Sequence, residues 1–231
     1  MINLFRPASC IVVASMGRSG STLCYTTLSR PSSRWRRKKG RGFYPSLGEA
    51  PLKPGTIIKT HDYPDSLSDK SGQAKVLFVF GSTYEASLSV YACREKYGDE
   101  WISSHFDHCK SIAQFDDIFD FDALGMSQQV RAWAVEDKVP VLCVRYDSLW
   151  QNASEISDFT GHRFNLPART LREEKHIPAE LKENAAKTYE KFDKVIAKLP
   201  DIFLAGPSMF DYVKQIDADS RFSKEARQRF R

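Results

Sequence analysis

The chain has 231 residues, a formal net charge of +5, 42% apolar residues and 27% charged residues. That length supports one sizeable core, so the expectation is one α/β domain over 1–231, with 219–231 a charged tail that frays. No apolar run approaches the ~18 residues of a membrane span, and the mild positive charge favours anionic ligands without requiring nucleic acid.

Taken in chain order, the run Cys10–Ala14 predicts a buried strand. It lacks the basic flank and the length of a secretion signal, and a cytoplasmic protein is expected. Further strands are predicted at Thr56–Ile58, Lys75–Phe80 and Val139–Arg145, all rich in Val, Ile, Leu or Phe. Helical patterns fall between and after them, at Ser21–Leu28, Tyr84–Tyr97, Ala123–Asp137, Leu149–Thr160 and Pro178–Ala197. Strand alternating with helix predicts a three-layer α/β sandwich with a central parallel sheet. Cys10, Cys24, Cys93, Cys109 and Cys143 are scattered and form no CxxC pair. They read as reduced thiols, with Cys10 and Cys143 in the core, and not as a disulfide frame or zinc site.

The first strand runs into Gly17-Arg18-Ser19-Gly20-Ser21-Thr22 and then a helix. Glycines at 17 and 20 let successive N–H groups converge on one anion. The helix N-terminus adds partial positive charge. Hydroxyls come from Ser19, Ser21 and Thr22, and a forked cation from Arg18. The reading is a P-loop-like phosphate-binding turn; a plain glycine–serine turn is the alternative. It is not a Walker A loop, because Ser21 stands where that motif needs lysine. A second strand ends in Lys59-Thr60-His61. Ligands of open parallel sheets bind at that edge, where His61 is a candidate general base and Lys59 a candidate charge stabiliser. The alternative is a surface turn that happens to carry a histidine.

Arg34-Trp-Arg-Arg-Lys-Lys-Gly-Arg41 holds six cations in eight residues. It reads as a site for an anionic acceptor, a reach toward a donor phosphate, a nucleic-acid or membrane patch, or a solvated loop. His105 and His108 are spaced to share one helix face, but two histidines do not complete a metal site. Phe43, Tyr44, Tyr63, Tyr84, Trp101 and Phe106 are candidate pocket aromatics, of which one or two are expected to touch a substrate.

A loop of the form [K/R]-S-G-[S/T]-T followed by a strand ending in K-T-H resembles the PAPS-dependent sulfotransferases, particularly their cytosolic branch. The resemblance continues through Glu85 and Ser89 after the third strand. It extends to Gln129, Trp133 and Lys138, and to Tyr146-Asp147-Ser-Leu149, covering about residues 9 to 160. It implies transfer of a sulfuryl group from 3′-phosphoadenosine 5′-phosphosulfate (PAPS) to a hydroxyl or amine acceptor, with no metal. In the resemblance, Gly17 to Thr22 hold the 5′-phosphosulfate and Arg18 stabilises the leaving phosphate. Lys59 sits near the transferring group, His61 takes the acceptor proton, and Ser89 contacts the 3′-phosphate. The acceptor would be a small molecule, glycan or lipid, and an anionic one suits the basic run; nucleic acid is not expected as a partner.

The chain departs from the pattern at Gly81, where the family has an arginine for the 3′-phosphate, and its C-terminal part has no clean Arg-Lys-Gly element. Three outcomes fit: another basic residue substitutes, donor affinity is weak, or the donor differs. The competing functional readings are a nucleotide-dependent kinase or phosphotransferase, and a non-catalytic nucleotide- or nucleic-acid-binding member of the fold.

Overall fold

The computed structural model describes residues 9–30, 41–70, 72–111, 113–170 and 175–219. The basic run therefore lies outside the described residues, apart from the backbone of Arg41, and so does nearly all of the 219–231 tail.

Strand β1 (Cys10–Ser15) is buried at every position, as a strand covered on both faces must be. Cys10, Val12 and Ala14 enter one core while Ile11 and Val13 enter another. This period of two places hydrophobic layers on both sides of the sheet. The other strands are β2 (Arg41–Phe43), β3 (Ile57–Thr60), β4 (Ala74–Phe80), β5 (Val141–Arg145) and β6 (Ile202–Leu204). They form one six-stranded sheet in the order β2-β3-β1-β4-β5-β6. Five strands are parallel, with β1 pairing β3 at Ile11↔Ile57 and β4 at Val13↔Leu77. The expected parallel sheet is corrected at one edge, where β6 runs antiparallel to β5 with Leu142 opposite Leu204.

Helices α1 (Ser21–Leu28) and α5 (Ala153–Thr160) pack into the core that holds Ile11 and Val13. The larger core, around the fully buried Trp133 and Tyr189, takes α2 (Thr83–Tyr97), α3 (Asp99–His108), α4 (Met126–Ala134), α6 (Ala179–Ile196) and α7 (Phe210–Val213). All five cysteines are free and buried. Among the described residues, no helix is long and apolar enough to cross a membrane.

Helix ends follow local chemistry. Ser82 caps α2, its hydroxyl accepting from Glu85 N at 3.0 Å. Asp193 on α6 accepts from Ser82 Oγ at 2.5 Å, Thr83 N at 2.6 Å and Thr83 Oγ1 at 2.7 Å, fastening α6 to the start of α2. The helix expected over Ala123–Asp137 is shorter. It begins after Gly125, whose φ is +61°, and Asp122 accepts from Met126 N and Ser127 N at 2.9 and 2.8 Å. The helix expected from Leu149 starts at Ala153, because Tyr146–Ser148 first forms a 3₁₀ turn.

The chain leaves β1 toward β3 on one side and returns to β4 on the other. That reversal opens a crevice beyond the carboxyl ends of β1, β3 and β4, the ligand position of open α/β sheets.

Candidate functional site

A cleft of about 790 Å³ occupies this crevice. The turn from β1 to α1 forms its floor, with left-handed backbone at Gly17 (φ +83°), Arg18 (φ +48°) and Gly20 (φ +95°). Glycine is required at position 20. A Cβ there would lie 2.5 Å from Tyr146 Cδ2, and the positive φ disfavours any side chain. Arg18 adopts the same region without that freedom. Its Nε donates to Ser89 Oγ at 3.1 Å, and its guanidinium lies 5.8 Å from the centre of the Trp101 ring.

The structure brings Arg18, Gly20, Ser21 and Thr22 to the cleft, together with Lys59, His61 and Ser89 from later elements. Gly17 and Ser19 stand behind it. Gly17 backs onto His105 and Cys109, each 3.6 Å from where a Cβ would be. Ser19 is buried, and its hydroxyl donates to the Val79 carbonyl at 2.9 Å. The Ser19 hydroxyl expected as a ligand donor therefore ties the turn to β4 instead.

Strand β3 delivers the other cationic group. Lys59 Nζ donates to Thr22 Oγ1 at 2.7 Å, joining β3 to the first turn of α1. Burial, then the nearby Arg18 charge, lowers the Lys59 pKa from its usual value. His61 follows immediately and is 5% exposed. Its Nδ1 lies 3.0 Å from the Ser15 carbonyl and 3.1 Å from Ser15 Oγ. A carbonyl only accepts, so this geometry assigns the proton to Nδ1 and the lone pair to Nε2. Burial and the Lys59 charge push His61 down to about 4, so the ring is neutral at pH 7. The backbone is fixed from behind: Gln129 Nε2 donates to the His61 carbonyl at 2.8 Å and Trp133 Nε1 to the Asp62 carbonyl at 3.1 Å.

Helix α3 makes the opposite wall with Trp101, His105 and His108. His105 stacks on Trp101 with centroids 4.9 Å apart and meets the His61 ring edge-on at 5.9 Å. Burial, then the neighbouring His61, Arg18, His108 and Lys59, hold His105 down at about 3. Phe43 on β2 lies against His108 at 4.4 Å and His61 at 5.9 Å. His105 and His108 thus serve the cleft wall. Among the described residues, no group of three or more potential metal ligands gathers.

Of the six candidate aromatics, Phe43 and Trp101 reach the cleft. Phe106 is core, Tyr44 and Tyr84 pack against it, and the Tyr63 hydroxyl donates to the Gly125 carbonyl at 3.2 Å. Tyr146 and Lys175 also line the cleft, beyond the residues expected from the sequence. Tyr146 packs on Gly20, and it stands in a motif to which no contact was assigned. Lys175 contributes a third cation, with Nζ donating to the Glu85 carbonyl at 3.1 Å and pairing with the Glu85 carboxylate at 3.5 Å. A lone lysine after Leu-Arg-Glu-Glu carries no sequence signal for this role.

The described lining holds Arg18, Lys59 and Lys175, three neutral or weakly basic imidazoles and no carboxylate. Such a cleft attracts a polyanion and provides one uncharged nitrogen base beside it. No family model matches the chain, and no curated protein matches it in sequence.

Proposed function

We propose that the chain is a sulfotransferase that moves a sulfuryl group from PAPS to a hydroxyl or amine acceptor by in-line transfer. The observation that carries this reading is the meeting of the Gly17–Thr22 turn, Lys59 and a neutral His61 around one cleft whose described lining is cationic. In this reading the turn is a phosphate-binding one, with the backbone N–H groups of 19–22 and the α1 N-terminus facing the donor's 5′-phosphosulfate.

His61 Nε2 takes the acceptor's proton as the acceptor oxygen or nitrogen forms its bond to sulfur. The bond between sulfur and the bridging oxygen breaks, and its electron pair goes to the 5′-phosphate, leaving adenosine 3′,5′-bisphosphate. Arg18 offsets the charge that develops on this leaving phosphate, and Lys59 stabilises the sulfuryl oxygens in flight. The new imidazolium is costly beside Lys59 and Arg18 until the donor's anions offset those charges, so base and donor act together.

Lys175 is the candidate for the cation missing at Gly81. It shares the cleft with Ser89, the residue that the resemblance assigns to the 3′-phosphate. A Cβ at Gly81 would meet only ordinary contact with Tyr146 at 3.7 Å.

Calorimetric titration with adenosine 3′,5′-bisphosphate, beside adenosine 5′-monophosphate and ATP with magnesium, tests the reading. A clear preference for the bisphosphate is expected. Equal affinities, or binding of ATP alone, overturn the donor assignment.

A further inference from the structure

The carboxylate of Asp62 takes no part in the proposed transfer, yet it is fully buried beside the base. It accepts from Leu47 N at 2.8 Å and from Tyr63 N at 2.7 Å, and it pairs with Lys110 Nζ. Two segments distant in sequence, at Leu47 and Lys110, therefore converge on the residue that follows His61. A carboxylate this deep is maintained only when paired and hydrogen-bonded.

Lys110 is itself unusual. Helix α3 ends with Ser111 N donating to the Phe106 carbonyl and Lys110 N to the Asp107 carbonyl, each at 3.0 Å. This is the Schellman pattern, whose left-handed residue is usually glycine. Lys110 takes that position at φ +54°. Glycine would end the helix without strain but could not reach Asp62. Strain of this kind persists where the surroundings over-determine a residue, and it marks a functional constraint.

We propose that Asp62 and Lys110 are a positioning pair: their buried ion pair holds α3, and with it Trp101, His105 and His108, at fixed spacing from His61. The acceptor wall and the base then form one rigid unit. Both ends are secured, because the His61 and Asp62 carbonyls are held by Gln129 and Trp133 while Lys110 anchors the last turn of α3. The functional half of this inference rests on the sulfotransferase reading; the mechanical half does not.

The test follows the His61 ring by NMR titration, with amide hydrogen exchange over 99–108, in Lys110→Gly, Asp62→Asn and Lys110→Arg. Lys110→Gly keeps the helix end and removes the tether. Loosening α3 admits water to His61, so its titration midpoint is expected to rise by about half a pH unit or more, with exchange in α3 at least tenfold faster. Exchange in β1 is unchanged, and Lys110→Arg behaves as wild type. The two disruptive variants change local charge in opposite senses, so a pure charge effect would move His61 in opposite directions. Opposite shifts, or unchanged α3 exchange in both variants, overturn the proposal. Failure of the sulfotransferase reading appears elsewhere, as absent bisphosphate preference in the wild-type protein, and leaves this result intact.

Discussion

Lowering the pH from 7 to 5 should weaken the fold through His61 by a predictable amount. The unfolded histidine titrates near 6.5, and the buried ring near 4 because of desolvation and the Lys59 charge. A depressed folded value means that the unfolded chain takes up the proton first. The His61 contribution is therefore present above about pH 6.5 and is lost as the pH falls toward 4. Linkage between these two values gives about 2 kcal/mol of lost stability between pH 7 and pH 5. Urea unfolding of wild type and His61→Gln at both pH values isolates the effect, since other titrating groups cancel in the comparison. The variant should be less pH-sensitive by about 2 kcal/mol. Equal pH dependence in the two proteins would refute the reasoning, because His61 would then titrate near its ordinary value. For the proposed transfer, the same depression would place the acid limb of kcat/KM well below pH 6, where an unperturbed histidine would put it near 6.5.

Gly20→Ala should reduce bisphosphate affinity at least tenfold by calorimetry and lower Tm, because the new methyl meets Tyr146 at 2.5 Å on a positive-φ backbone. Pairing it with Tyr146→Ala should recover only part of the loss, since the backbone strain remains. Lys175→Met should weaken adenosine 3′,5′-bisphosphate about 10- to 100-fold and the 5′-monophosphate far less, matching one charge-assisted hydrogen bond of ~1.5–3 kcal/mol. Equal losses for both nucleotides would remove Lys175 from the 3′-phosphate. Asp193→Ala should cost about 1–2 kcal/mol in denaturant unfolding, as the start of α2 loses its acceptor from α6.

The strands that carry the site were readable because they are short, continuous apolar runs that end in chemistry. β1 leads into the glycine turn, and β3 ends one residue before His61. Pattern gave less warning of α3. Asp99–His108 carries polar residues at most positions, and Gly98, at φ +83°, splits it from the preceding helix. Its importance comes from tertiary placement, which puts Trp101, His105 and His108 across from His61. β2 and β6 are three residues each, too short to show a period, and both exist as edge pairings. A hydroxyl in a glycine turn looks available from sequence, and at Ser19 the neighbouring strand accepts from it. Lys175 is distant in sequence from every motif, so only the folded chain joins it to the turn.

The collection of Arg18, Lys59 and Lys175 in the described lining of one cleft has a practical consequence. Any small oxyanion that settles among these cations relieves their repulsion and is linked to stability through its own concentration. If the turn binds phosphate as proposed, buffers made from phosphate or sulfate will raise the melting temperature and occupy it. Thermal and nucleotide-binding measurements in such buffers will report competition, and the intrinsic affinity emerges only in chloride or in a zwitterionic buffer.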